Sequence, residues 1–240
     1  MTDGTHVYAF FGKSGVYAFD LKGKEVWNRH LGSESTRKQW GSASSPILVG
    51  DVLVVNASEE SRTVYGLDKT TGKELWKAEA ETLGYTYGTP SMRKISGRDD
   101  LVLAVPGELW GLNPSTGKLR WYVETGLTGN ISPSVSFHND LAFVFGGYPR
   151  TARAAVRLGG KGDLGASSLV WEDNHASYIP TPVVHDGKLY WVSDTGIANC
   201  IDAETGKEIY RERLPRGESA VARASPFMPR RFWPMENCIV

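Results

Sequence analysis

Cysteine, net charge and long apolar runs are all scarce in this chain of 240 residues. The two cysteines, Cys200 and Cys238, stand far apart and form no Cys-x-x-Cys pair, so neither a disulfide framework nor a cysteine metal site is indicated. Lys plus Arg equals Asp plus Glu at 27 each, so no overall charge favours nucleic acid or an anionic membrane as a partner. No apolar run approaches the ~18 residues of a membrane span. Asp3, Lys13 and Asp20 interrupt any apolar core of a signal peptide, so no signal peptide is predicted in this chain.

What the chain does contain is a repeat. A Ser-Pro or Thr-Pro dipeptide opens an apolar stretch five times, at intervals of 43 to 49 residues. A second pattern, typified by VYGLDKTTGKELW at residues 64–76, recurs in the same register. Self-similarity with a period in the forties is typical of a repeat array. The prolines that open the repeats are Pro46, Pro90, Pro133, Pro182 and Pro226.

Each repeat divides into four short strands, here called A to D. In residues 182–214, turn signals at His-Asp-Gly, Ser-Asp-Thr-Gly and Glu-Thr-Gly-Lys separate stretches rich in β-branched and aromatic residues. Four hairpin-linked strands per repeat, without helical periodicity, predict an all-β fold, a β-propeller of four-stranded antiparallel blades. The opening proline suits the innermost strand, whose free edge can lose an N–H donor.

Two local patterns have competing interpretations. Asp20, Asp68, Asn113 and Asp202 precede the turns between strands C and D, and we interpret them as turn caps rather than calcium ligands. The fourth repeat replaces this turn with a glycine-rich segment that contains a formal Gly-x-Gly-x-x-Gly motif, beginning at Gly160. A dinucleotide site would need a helix after that motif, but residues 166–171 look like a strand, so the segment is interpreted as an enlarged hairpin loop.

The alternation of D-x-x-T-G-K-x-x-W with S-P-x-x-x-x-G-x-x-Y resembles the pyrroloquinoline-quinone (PQQ) type repeat. This repeat recurs in quinoprotein alcohol and glucose dehydrogenases and in the lipoprotein of the outer-membrane barrel assembly machinery. It also recurs in PQQ-binding-like propellers of the planctomycete type, which residues 40–61 and 124–149 resemble most. The resemblance covers nearly the whole chain and implies a location in the periplasm or cell envelope for a full-length protein.

Propellers of this kind usually have seven or eight blades, and 240 residues at this period supply about five. The repeat phase places the start of the chain at strand B of a blade. We therefore expect a fragment in which residues 1–226 form a partial propeller. Residues 227–240, which lack the repeat pattern, are expected to be an aberrant tail from a frameshift or premature end.

A candidate ligand or peptide site follows from the predicted topology. The connections from strand D to the next strand A carry aromatic, amide and cationic side chains just before the inner strand, and therefore near the mouth of the central channel. The alternative is that Trp40, Tyr87 and Tyr178 merely plug the channel. The candidate ligand-binding residues are Arg37, Trp40, Tyr85, Tyr87, Asn130 and Tyr178.

No catalytic residue or metal site is predicted, because the five histidines are scattered and the chain has no nucleophile elbow or His-Glu-x-x-His motif. The leading hypothesis is a non-catalytic scaffold, without a cofactor, that presents the channel mouth to a protein or small ligand. The alternative is a fragment of a PQQ-dependent dehydrogenase, which would use PQQ and calcium. The adjacent-cysteine disulfide that the resemblance to such alcohol dehydrogenases implies is missing. A third possibility is a gene fragment without a function of its own.

Overall fold

The computed structural model describes residues 1–35 and 39–215. In this part of the chain, twenty strands form five sheets that follow one another in sequence order, and we call these sheets blades 1 to 5. Blade 1 has three strands and the others have four of their own. The strands are β1 (His6–Phe10), β2 (Val16–Asp20), β3 (Glu25–Arg29), β4 (Ile47–Val49), β5 (Val52–Ala57), β6 (Thr63–Asp68), β7 (Glu74–Glu79), β8 (Ser91–Ile95), β9 (Arg98–Val105), β10 (Glu108–Leu112), β11 (Leu119–Glu124), β12 (Ser136–His138), β13 (Leu141–Gly146), β14 (Ala152–Arg157), β15 (Gly162–Asp163), β16 (Leu169–Asp173), β17 (Val183–His185), β18 (Lys188–Val192), β19 (Ile197–Asp202) and β20 (Glu208–Arg213).

The repeat prolines mark the first strand of blades 2 to 5. Pro46, Pro90 and Pro182 directly precede β4, β8 and β17, and Pro133 lies three residues before β12. Each of these strands lies at the edge of its sheet, where a residue without an N–H costs no ladder bond. Pro226 and residues 227–240 lie outside the described residues, so the predicted domain limits stay a prediction.

Four short helical turns lie in the hairpin turns and in one connection between blades, and they were not predicted from the sequence. The helix α1 (Ser58–Ser61) closes the B–C turn of blade 2, and Arg62 ends it in the left-handed conformation at φ 51°. Three further turns are 3₁₀: Gly12–Ser14, Glu81–Tyr85 and Ala166–Ser168. Elements of three to five residues are too short to show a helical period in the sequence.

The caps predicted in the C–D turns are confirmed. Asp68 Oδ1 accepts the backbone N–H groups of Thr70 and Thr71, at 3.0 and 2.8 Å. Hydrogen bonds from the hydroxyl and N–H of Thr71 hold the pKa of Asp68 below its ordinary value. Asp202 caps its turn through Thr205 in the same way. A single polar side chain therefore satisfies the backbone of each tight turn.

Apolar clusters lie between successive blades rather than inside one blade. In order along the chain, the four clusters join blades 1 and 2, 2 and 3, 3 and 4, and 4 and 5. A tryptophan ring from strand D contributes to this contact between blades. The indole N–H groups of Trp27, Trp76 and Trp171 donate to a carbonyl oxygen in the C–D turn of the following blade, each at 3.0 Å. Each blade is thus stabilised by its neighbour.

The glycine-rich segment of the fourth repeat is an excursion of the hairpin between β14 and β16, as predicted. Its strand β15 pairs in parallel with the outer strand β11 of blade 3, where Trp121 lies opposite Gly162. The expectation of a continuous strand over residues 166–171 is wrong at its start, because Ala166–Ser168 forms a 3₁₀ turn before β16 begins. Since this blade has no Thr-Gly turn to receive it, Trp121 donates to Asp100 Oδ2 in its own sheet, at 2.8 Å.

Candidate functional site on the connector face

One face of the blades carries all the D–A connections and B–C turns, and we call it the connector face. Because neighbouring strands run antiparallel, strands A and C begin, and strands B and D end, at the same end of each blade. The D–A connections and B–C turns therefore lie together there. Five of the six predicted site residues lie on this face, and Arg37 lies outside the described residues. The face comprises residues 11–15, 30–35, 39–46, 58–62, 80–90, 106–107, 125–135, 147–151, 174–182 and 193–196.

Trp40 and Tyr87 are brought together. Their ring centroids lie 5.9 Å apart, in a tilted arrangement. Tyr87 is buried, and its hydroxyl donates to Glu59 Oε2 at 3.2 Å. Trp40 remains 46% exposed. The buried tyrosine is therefore a support, and the tryptophan presents an aromatic surface to the solvent.

Tyr85 and Asn130 belong to connections that pair with each other. The N–H of Ile131 donates to the carbonyl oxygen of Tyr85 at 2.9 Å, and the N–H of Tyr87 donates to the carbonyl oxygen of Ile131 at 2.8 Å. The buried side chain of Asn56 fixes one of these connections by donating to the carbonyl oxygens of Thr86 and Gly88, at 3.0 and 3.1 Å. The side chain of Tyr85 is 42% exposed.

Asn130 and Tyr178 form a second group. The Asn130 amide donates to the Tyr178 hydroxyl at 3.0 Å, and both side chains are buried. The half-exposed ring of Tyr148 lies 5.2 Å from that of Tyr178. Burial raises the pKa of Tyr178, so its hydroxyl stays neutral. Of the three rings in the plug alternative, Tyr87 and Tyr178 are buried and Trp40 is exposed.

Two buried acids on α1 were not predicted. Glu59 and Glu60 are both buried, and Ser42 Oγ donates to Glu60 Oε2 at 2.5 Å. Glu60 Oε1 has no hydrogen-bond partner among the described residues. Burial raises the pKa of Glu60. The sequence offered no signal for this, because acidic residues in a turn are usually exposed.

A cavity of about 440 Å³ opens next to these acids. It lies between the B–C turn of blade 1, which supplies Phe11 and Lys13, and the connection that carries Trp40. Glu60 also lines it. Within residues 1–35 and 39–215, no three His, Cys, Asp or Glu side chains lie close enough together to hold a metal ion. No helix in this part is long and apolar enough to cross a membrane.

Comparison with known sequences places the chain. The PQQ repeat family described as outer membrane protein assembly factor BamB matches residues 1–209. The chain belongs to this family. BamB from Yersinia pestis is 27% identical over 233 residues, which cover 88% of this chain and 55% of that protein. The chain thus spans little more than half the length of this relative.

Solved structures confirm the predicted all-β propeller. BamB from Moraxella catarrhalis superposes with a TM-score of 0.66 at 14% identity, covering 88% of this chain and 61% of that one. A quinohemoprotein alcohol dehydrogenase from Pseudomonas putida superposes with a TM-score of 0.59 at 15% identity, covering 87% and 40%. A computationally designed protein reaches 0.60 at 14% identity, covering 88% and 60%. At these identities the likeness shows the fold alone.

Proposed function

We propose that this chain is a non-catalytic scaffold that binds another protein of outer-membrane assembly through its connector face, in the bacterial envelope. The observation that carries the proposal is the family match over residues 1–209. The proposal includes the predicted protein partner, the expected envelope location and a scaffold that needs no cofactor, and the same family match supports each of them.

The arrangement of the connector face supports a protein partner. Trp40, Tyr85 and Tyr148 are each 41–46% exposed, and Trp40 and Tyr148 pack against buried tyrosines. Aromatic side chains held in place before binding lose little conformational entropy, and they often contribute most of the energy of an interface. The hydrogen bonds between connections hold the backbone beneath them.

Site-specific photocrosslinking in the native host tests this proposal. A photoreactive phenylalanine analogue replaces Trp40, Tyr85 or Tyr148 one at a time. The control position is Leu21, which is exposed in the C–D turn of blade 1 on the opposite face. We expect a discrete crosslinked envelope protein from the connector positions but not from Leu21. Equal crosslinking from both faces, or none from the connector face, would contradict the proposal.

The dehydrogenase hypothesis rests on the fold shared with the alcohol dehydrogenase. Calcium prefers several oxygen ligands, and the described residues supply no group of three acidic or histidine side chains for it. These residues therefore do not offer the set of carboxylates that suits the calcium ion of such an enzyme. Titration of the chain with PQQ and calcium, followed by a dye-linked alcohol oxidation assay, decides between the two functions. A saturable absorbance change with turnover would replace the scaffold proposal.

A further inference from the structure

A second cavity, of about 240 Å³, lies in the cleft between blades 4 and 5 where the cleft reaches the connector face. Its walls come from the connection after β16, from the B–C turn of blade 5 and from strands β18, β19 and β20. Among the residues that line the cavity, those with large polar or aromatic side chains are Asn174, His175, Trp191, Asp194, Asn199 and Arg211. Pockets for drug-sized ligands begin at ~300 Å³, so this one suits a single small ring.

Trp191 is the residue that singles out this cavity. It is only 6% exposed, and its indole N–H has no acceptor among the described residues. By contrast, the indole N–H groups of Trp27, Trp76, Trp121 and Trp171 all have acceptors at 2.8–3.0 Å. The Trp191 N–H is not one of the buried polar atoms that lack a partner, so solvent reaches it in the cavity. A ligand oxygen in the cavity can therefore accept this N–H in place of water.

The remaining groups of the cavity supply both donors and acceptors. Asn199 is 7% exposed, and its amide donates to the carbonyl oxygen of Ile197 at 2.7 Å, which leaves its Oδ1 without a donor. The register places Trp191 opposite Asn199, and Asn199 opposite Arg211, so the three side chains lie in a row on one face of blade 5. Arg211 is exposed and lines the cavity from β20.

Charge in the cleft is balanced. Arg211 and Asp194 both line the cavity, and the N–H of Tyr178 donates to Asp194 Oδ2 at 2.9 Å. Behind the wall, Arg153 lies over the Trp191 ring at 4.9 Å and pairs with Asp173 at 2.9 Å. Burial raises the pKa of Asp173, but the hydrogen bonds from Arg153 and His175 outweigh this and hold the pKa below its ordinary value. The lining thus carries one arginine and one aspartate, and the Arg153–Asp173 pair behind it is balanced, which favours neither an anionic nor a cationic ligand.

We propose that this cleft binds one neutral hydroxylated ring, a monosaccharide or the terminal sugar of a glycan. Each hydroxyl group both donates and accepts, and so can satisfy the Trp191 N–H, the Asn199 Oδ1 and the Arg211 guanidinium together. Arg153 lies over one face of the Trp191 ring, and Phe145 packs against this ring in a T-shaped arrangement with centroids 5.2 Å apart. The indole thus contributes its N–H rather than a stacking surface.

The experiment is a titration of the ¹⁵N-labelled 240-residue chain, with the indole N–H signals as the readout. Trp191→Phe identifies the signal of Trp191 and removes its donor. The probes are glucose and N-acetylglucosamine, the β-1,4-linked disaccharide of each, and glycine and sodium acetate as zwitterionic and anionic comparisons. We expect a saturable shift of the Trp191 signal with sugars only. Binding of the disaccharides as tight as that of the monosaccharides points to a glycan end, and binding of the monosaccharides alone points to a free sugar.

Matched variants separate a site from a general solvent effect. Arg211→Gln replaces the five-donor guanidinium of the lining by a shorter amide with two donors, and is expected to weaken sugar binding about 3–10-fold, the value of one hydrogen bond. Glu212→Gln changes the neighbouring residue of the same strand, which points to the other side of the sheet, and should leave binding unchanged. A shift that stays linear with sugar concentration, an equal response in Arg211→Gln, no shift, or saturation by acetate or glycine alone would each overturn the proposal. None of these outcomes depends on the partner that the scaffold binds.

Discussion

The indole N–H of Trp76 in blade 2 donates to the carbonyl oxygen of Pro114 in blade 3, at 3.0 Å. The same ring lies against Gly117, where an added Cβ would come within 2.4 Å of it. Trp27 and Gly72 repeat the relationship between blades 1 and 2, and Trp171 and Gly206 repeat it between blades 4 and 5. The glycine of the Thr-Gly-Lys turn thus serves two purposes, since it allows a positive φ and leaves room for the ring of the preceding blade.

Replacing Gly117 by alanine should separate these two purposes. Gly117 has φ 68°, and Gly107 has φ 84° with open space around its would-be Cβ. Gly107→Ala therefore carries only the conformational cost, about 1–2 kcal/mol. Gly117→Ala adds the clash with Trp76, and we expect a total loss of about 2–4 kcal/mol in the free energy of unfolding, measured in urea. Equal losses in the two variants would show that the ring moves aside freely.

Asp100→Asn should destabilise the protein strongly. Asp100 is fully buried, and its carboxylate accepts hydrogen bonds from Arg98, Arg120 and Trp121. Removing the charge leaves two arginines with a neutral partner, and the loss of one partner from such a buried group typically costs about 3–5 kcal/mol. The exposed neighbour Asp99 provides the control, because Asp99→Asn is expected to stay within about 0.5 kcal/mol of wild type by chemical unfolding. A mild Asp100→Asn variant would mean that the amide replaces the carboxylate in the same bonds.

Glu60→Gln should change how stability depends on pH. Because burial raises the pKa of Glu60 above the ordinary value of 4.5, the folded state holds the proton more tightly than the unfolded state. This contribution to stability is complete below pH 4.5 and is lost as the pH rises through the folded-state pKa. Glutamine keeps a neutral side chain beside Ser42, so the variant should lack this loss. Urea unfolding of both proteins across this pH range measures it, and parallel curves would exclude Glu60 as the cause.

On the connector face, Trp40→Ala should mainly reduce partner binding, and Tyr87→Phe should mainly reduce stability. Because Trp40 is half-exposed, Trp40→Ala should lower the free energy of unfolding by no more than about 1 kcal/mol. The same variant should reduce partner capture by about tenfold or more. Tyr87 is buried, and Tyr87→Phe removes its bond to Glu59, so about 1 kcal/mol of stability should be lost with the exposed surface intact. Thermal unfolding and crosslinking yield, measured on both variants, test the division. The reverse pattern would make Trp40 a structural residue.

The fold was predictable because its decisive signals are local. The Asp-x-x-Thr-Gly-Lys turn contains both its own cap, as at Asp68, and its glycine, as at Gly72, so each hairpin can be recognised without knowledge of the neighbouring blade. The proline period then sets the register of the blades. By contrast, the pairing of β15 with β11 joins residues more than forty positions apart in different blades. Nothing in the glycine-rich segment itself indicates that partner.

The candidate site was predictable only in outline. The position of Tyr178 before a strand A places it on the connector face, but its hydrogen bond with Asn130 depends on how two connections from different blades meet. The buried Glu59 and Glu60 run against the usual exposure of charged side chains. The unpaired N–H of Trp191 is likewise a property of packing, since four other tryptophans in the repeat have acceptors.

The contact between Trp76 and Gly117 bears on how such proteins evolve. Because the ring belongs to one repeat and the glycine to the next, each repeat carries a ring for its successor and a receptive turn for its predecessor. A whole repeat gained or lost by gene duplication or deletion therefore joins its new neighbours with the same contact. Blade 4 is the exception, because without the receptive turn its place beside Trp121 cannot be exchanged with that of another repeat.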